Sequence, residues 1–112
     1  MTRDELIAAL EKATGPDHDL DEEIMCCAYA DLKLERHMEG WYTPDGTHVR
    51  VEPYTYSIDA AASLVPKGWE WCVYGAGGSD VWQPEGLHAQ QMTYAATPAI
   101  ALCIAALKAR PE

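Results

Sequence analysis

Phenylalanine is absent from this chain, and lysine and arginine together number only 8 against 18 aspartates and glutamates. The formal net charge of −10 repels phosphate backbones, and no local basic patch offsets it, so direct binding of nucleic acid is not expected. Long apolar runs are also missing. The most apolar stretch, PAIALCIAALKA near the end, covers about 12 residues, where a bilayer needs roughly 20. The start, MTRDELIAALEKA, shows no apolar run behind a basic flank. Neither a secretory leader nor a membrane anchor is expected, which implies a cytoplasmic address.

The patterns that announce chemistry are missing too. The glycine cluster GAGG at 75–78 has neither the GxxxxGK[ST] nor the GxGxxG spacing and leads toward a strand, so it reads as a turn rather than a phosphate cradle. His18, His37, His48 and His88 are scattered without HxxxH spacing, and no CxxC occurs. Cys26 and Cys27 are adjacent on a helical stretch, and Cys72 and Cys103 sit in apolar stretches, so packed thiols are expected rather than disulfides. Two carboxylates stand out as acid–base candidates: Asp59 in an otherwise apolar helix and Glu70 between two tryptophans. Ser57 has no legible His and Asp partners and is better placed as a helix cap. No catalytic residue, metal or cofactor is expected.

A chain of 112 residues supports one domain with its own core, and neither a linker nor a low-complexity segment divides it. The organising element is the C-terminal helix over 97–110. Thr97 can cap it, Pro98 suits the first turn, and Lys108 and Arg110 bring positive charge to its last turn. Ile100, Cys103, Ile104 and Leu107 form one large apolar face, and alanines fill the others, so this helix should be buried.

Upstream, Thr2 and Glu5 have capping-box spacing for a helix over 3–13. Asp17 or Asp19 caps a second helix with Asp21, Glu22 and Glu23 in its first turn. Leu20, Ile24, Cys27 and Ala28 supply its buried stripe, and the pair forms a helical hairpin with its acidic faces outward. From Leu32 the apolar period changes to two: Leu32, Leu34 and Met38 alternate with Lys33, Glu35 and His37, as a strand would. Pro44-Asp45-Gly46 is a turn, 48–52 a further strand, 54–56 an extended segment, and Ser57 caps a helix that Pro66-Lys67-Gly68 stops. WEWCVY over 69–74 alternates Trp69, Trp71 and Val73 with Glu70, Cys72 and Tyr74. Turns at 75–78 and 84–86 lead to Val81-Trp82 and to a last strand within 88–94. The class predicted is α+β: a small, mostly antiparallel sheet of about four to five strands packed with about four helices, the C-terminal helix buried.

Two features suggest a surface for a partner. The charge is uneven: residues 1–39 hold eleven Asp and Glu against four Lys and Arg, a net −7, and the remainder contributes −3. Asp17, Asp19, Asp21, Glu22 and Glu23 concentrate this acidity. Four tryptophans and six tyrosines with no phenylalanine favour side chains that have an apolar body and a polar tip, the kind enriched at interfaces. Trp41, Tyr42, Tyr54, Tyr56 and Trp82 lie at or near turns and complete the candidate partner-binding set.

Three blocks, LIAALEKATGPDHDLDEEI, YTYSIDAAASLVPKGWEW and AATPAIALCIAALKAR, cover about half the chain. As a set they resemble small uncharacterised proteins of bacteriophages and prophages, common in alphaproteobacteria and related to the phage ABA-sandwich domain. The resemblance implies a sheet between helical layers and a phage-encoded origin, and it carries over no catalytic residue. Residues 31–51 depart most from the family pattern, which makes them a place for a special function. The expectation is a phage or prophage accessory protein that binds another protein, in its sharper form an acidic inhibitor of a host defence complex of the anti-CRISPR type. The alternatives are a small enzyme or ligand-binding domain using Asp59, Glu70 or a histidine, and a phage structural or assembly component marked by homo-oligomer formation.

Overall fold

Thr97 accepts a hydrogen bond from the Ile100 amide at 3.1 Å, and from there α4 (Pro98–Ala109) runs through nine consecutive buried residues, Ala99 to Leu107. The structure, a computed structural model, describes residues 1–38, 40–74, 77–82 and 93–110. Buried all round, α4 must be covered from several directions. Two helices, α1 (Arg3–Lys12) and α3 (Ile58–Ala62), pack against it, and so does a sheet of β4 (Glu70–Tyr74), β5 (Gly78–Trp82) and β6 (Thr93–Tyr94).

Local chemistry sets the helix ends as the sequence leads one to expect. Thr2 and Glu5 form the reciprocal capping box of α1, with both bonds at 3.1 Å, and these bonds hold the Glu5 carboxyl below its ordinary pKa. Asp17 caps α2 (His18–Ala28) by accepting from the Leu20 amide, and Ser57 caps α3 by accepting from the Ala60 amide. Two arginines then tie the helix ends together. The Arg3 guanidinium donates to the carbonyls of Leu107 and Arg110 at the C-terminal end of α4. That of Arg110 donates to Leu64 at 2.9 Å and to Ala28, the last residue of α2, at 3.2 Å.

The class is α+β as expected, and among the described residues six strands form two three-stranded antiparallel sheets, where the sequence suggested one sheet of about four to five strands. The first is a meander of β1 (Glu35–His37), β2 (Gly40–Tyr42) and β3 (His48–Val49). Its strands are shorter than expected. Leu32 closes a 3₁₀ turn, Lys33 takes a left-handed φ of 51°, and extended chain begins only at Glu35. β3 is two residues long and does not reach Glu52. The segment 54–56, expected to be extended, is a turn, because the Tyr56 and Ser57 amides both donate to the Pro53 carbonyl. That turn and α3 separate the two sheets along the chain. The turn at Pro44-Asp45-Gly46 forms as expected, with Gly46 at φ 92° and the Asp45 carboxylate accepting from Thr43 and Thr47, which lowers its pKa.

In the second sheet the strand expected in WEWCVY forms and its residues alternate between two faces, but Trp71, on the side of Val73, is exposed. Val73 and Val81 pack into the core on the face that α4 covers, while Glu70, Cys72 and Tyr74 take the other face. That other face carries the exposed Tyr74 and Tyr94, so among the described residues the sheet does not lie between two helical layers as the family resemblance implied. Instead α4 lies between the sheet and the other helices. The turn expected at 84–86 and the 88–92 part of the last strand fall outside the described residues.

Because α4 supplies most of the large buried side chains, truncating one should be costly. Ile104→Ala, at a site with no exposure, is expected to lower the stability in urea denaturation by roughly 3 kcal/mol.

Candidate functional site

The meander differs from the rest of the chain in charge. Residues 33–51 hold three Lys or Arg and three Asp or Glu, so the whole net charge of −10 lies outside them. It is joined to the helices through α2. Apolar contacts come from Leu34, Trp41, Val49 and Val51 against the core, and the polar contact is centred on Glu22. The Glu22 carboxylate accepts from Trp41 Nε1 at 2.8 Å and from Arg36 at 3.0 Å, and His18 lies 3.3 Å away on the same helix. Two of the residues singled out in the sequence are therefore brought together, but they are spent on each other. Around them is a hollow of about 260 Å³ that also receives His48 and Arg50.

Asp21, next to Glu22, points the other way. Its carboxylate is 6% exposed and accepts from both the amide and the hydroxyl of Thr55 at 2.8 Å, while the same hydroxyl accepts from the Asp17 amide. Asp21 is thus an interior anchor and unsuited to an outer contact. Tyr54, also in the candidate set, is likewise buried, and that burial raises its pKa. The others are more open: Asp17 and Asp19 are exposed, Glu23, Trp41, Tyr42 and Trp82 are half-buried, and Tyr56 is 74% exposed.

The outer side of the meander is an aromatic strip. Tyr42 lies between two imidazoles, with ring centroids 6.1 Å from His37 and 5.3 Å from His48, the latter edge-on. Gly40 allows this, since a Cβ there would stand 3.2 Å from the His48 ring and 3.2 Å from that of Tyr42. At the tip of the β1–β2 hairpin, Met38 is 97% exposed with φ 54°. A methionine in the left-handed region is uncommon and strained, and here its apolar side chain stands in water. The alternation grouped Met38 with the apolar side of the strand, but its position in the turn exposes it. Tyr74 at 51% and Tyr94 at 64% exposure were also missed, although the alternation already placed Tyr74 on the side of Glu70.

The groups considered for chemistry are dispersed. Asp59 and Glu70 are exposed on α3 and β4. All four cysteines are thiols; burial pushes Cys103 up to about 12, and burial, then Glu23, raises Cys26. His88 lies outside the described residues, and among the described ones no three His, Cys, Asp or Glu are grouped to hold a metal ion. Nor, among them, is any helix long and apolar enough to cross a membrane. No family model, no curated protein and no solved structure matches the chain.

Two substitutions test this geometry. Glu22→Ala removes the acceptor of both Trp41 and Arg36, so amide hydrogen exchange over 41–49 should speed up well before global unfolding does. Met38→Asn relieves a left-handed residue and should raise stability by roughly 0.5 kcal/mol, read as a higher urea midpoint.

Proposed function

We propose that this chain is a small phage or prophage accessory protein that acts in the cytoplasm of a bacterial host by binding another protein. The partner proposed is a basic, nucleic-acid-handling complex of host defence, whose nucleic-acid channel the acidic surface would occupy in the manner of an anti-CRISPR inhibitor. The observation that carries the reading is the segregation of charge. Exposed Asp4, Glu5 and Glu11 on α1 and Asp17 and Asp19 at the start of α2 stand on two helices packed together, whereas the meander is neutral. Such a surface steers association with a positively charged partner and resembles, in sign, the phosphate backbone that the partner would otherwise hold. Asp59 and Glu70 stand apart and exposed, which favours binding over acid–base catalysis as the reading.

The test is co-purification from a bacterial host with tagged wild type and with a D4N/E11Q/D19N variant, which removes three exposed charges while sparing the Asp17 cap. Wild type should retain a nucleic-acid-handling complex at low salt and lose it at moderate salt, and the variant should retain at least tenfold less at low salt. Equal retention by the variant would show that the acidic helices are not the contact.

A further inference from the structure

Folding gathers positive groups that lie far apart along the chain. Arg36, Trp41 and Val49 occupy one row across the meander, so all three stand on the face turned to α2. Glu22 Oε2 accepts from Trp41 and Arg36, and His18, one turn back on α2, lies 3.3 Å from Oε1. The hollow of about 260 Å³ between these elements is lined by His18 from the helix, Arg36 from β1, His48 from β3 and Arg50 from just past the end of β3. Gly40 borders it too: with no Cβ there, the His48 ring can lie close over the β2 backbone. The two arginines of the hollow outnumber its one carboxylate, in a chain whose net charge is −10. Asp17, Asp19 and Asp21 do not line it.

We infer that this hollow is a binding site for the phosphoryl group of a small molecule. A cation is disfavoured because the carboxylate is already taken. The Glu22 side chain is only 13% exposed and holds both Trp41 and Arg36 on one oxygen, so it orients a cation of the chain itself. Arg36 spends one nitrogen on that bond, and its side chain is 57% exposed, which leaves the other donors of its fork for a ligand. Arg50 is exposed, and among the described residues its guanidinium makes no hydrogen bond or ion pair, so its charge is unbalanced locally. The exposed His18 and His48 add ring nitrogens. Donors arriving from a helix and two strands suit a tetrahedral anion with several acceptor oxygens better than a planar carboxylate, and guanidinium forks match phosphate. The volume lies below the roughly 300–1,000 Å³ of pockets for larger ligands, which limits the occupant to phosphate or the phosphoryl end of a small ester. A nucleic-acid strand would need a track of such sites and would meet the negative charge of the rest of the chain. The inference stands apart from the acidic-helix reading, since it uses none of the exposed carboxylates of α1 and α2.

The probe is inorganic phosphate. Backbone amide chemical shifts of the purified chain are followed by NMR at neutral pH while phosphate, and in parallel chloride at equal ionic strength, is added. Saturable shifts centred on His18, Arg36, Trp41 and Arg50 with phosphate, and no saturation with chloride, are expected. R50Q changes an exposed side chain and should bind phosphate at least fivefold more weakly with its amide spectrum otherwise preserved. K12Q, which removes an exposed cation of α1, should stay within about twofold of wild type. Chloride reproducing the phosphate shifts, phosphate shifts spread evenly over the chain, or wild-type affinity in R50Q would overturn the inference. A loss in K12Q as large as in R50Q would equally sink it, because net charge alone would then account for binding. Phenyl phosphate separates the two sources of the group: tighter binding than inorganic phosphate assigns the site to an ester, and equal or weaker binding assigns it to the free ion. Octathymidylate displacing phosphate at a lower concentration of phosphate groups would overturn the assignment to a small molecule.

Discussion

A helix with no polar face is the constraint on which the rest of this structure depends. From Ala99 to Leu107 every residue of α4 is buried, and burial on all sides can be met only by neighbours from more than one direction. The sheet of β4 to β6 supplies one cover, and α1 and α3 supply others. Alanines at 99, 101, 105 and 106 let these neighbours come close, while Ile100, Leu102, Ile104 and Leu107 fill the space between them. The ends of the helix are closed by polar groups from elsewhere, Thr97 before it and Arg3 from the first turn of α1 beyond its C-terminal end.

Adjacent carboxylates on α2 show how one helix serves two environments. Successive helical residues point about 100° apart, so Asp21 turns inward while Glu22 faces the meander. A buried carboxylate is costly unless hydrogen-bonded, and Thr55 meets that requirement with two donors, which also fixes the turn that leads into α3. Glu22 fixes the meander through Trp41 and Arg36. Acidity read from the sequence as surface charge is thus divided: part of it holds the architecture, and the remainder, on α1 and the start of α2, is exposed.

The surface that results has three characters: an acidic pair of helices, a neutral meander with an aromatic strip and an exposed methionine, and a sheet face with the exposed Tyr74 and Tyr94. Among the described residues none gathers a nucleophile, base and oriented partner, and the exposed carboxylates of the first favour positive charge.

The sequence by itself determined the helix caps at Thr2, Asp17, Ser57 and Thr97, the turn at Gly46, the alternation of β4 and the burial of α4. Each of these depends on residues within a few positions of one another, so local propensity and periodicity suffice. Only the tertiary structure decided that the strands form two sheets, that the 54–56 segment turns, that Asp21 and Tyr54 are interior, that Glu22 and Trp41 are bound to each other, and that Tyr74 and Tyr94 share a face. These outcomes rest on contacts between distant positions, such as Asp21 with Thr55, Arg110 with Ala28 and Tyr94 with Gly78. A carboxylate or an aromatic ring reads the same in a sequence whether it will meet water or a partner in the interior, because its environment is made by residues that only folding brings to it.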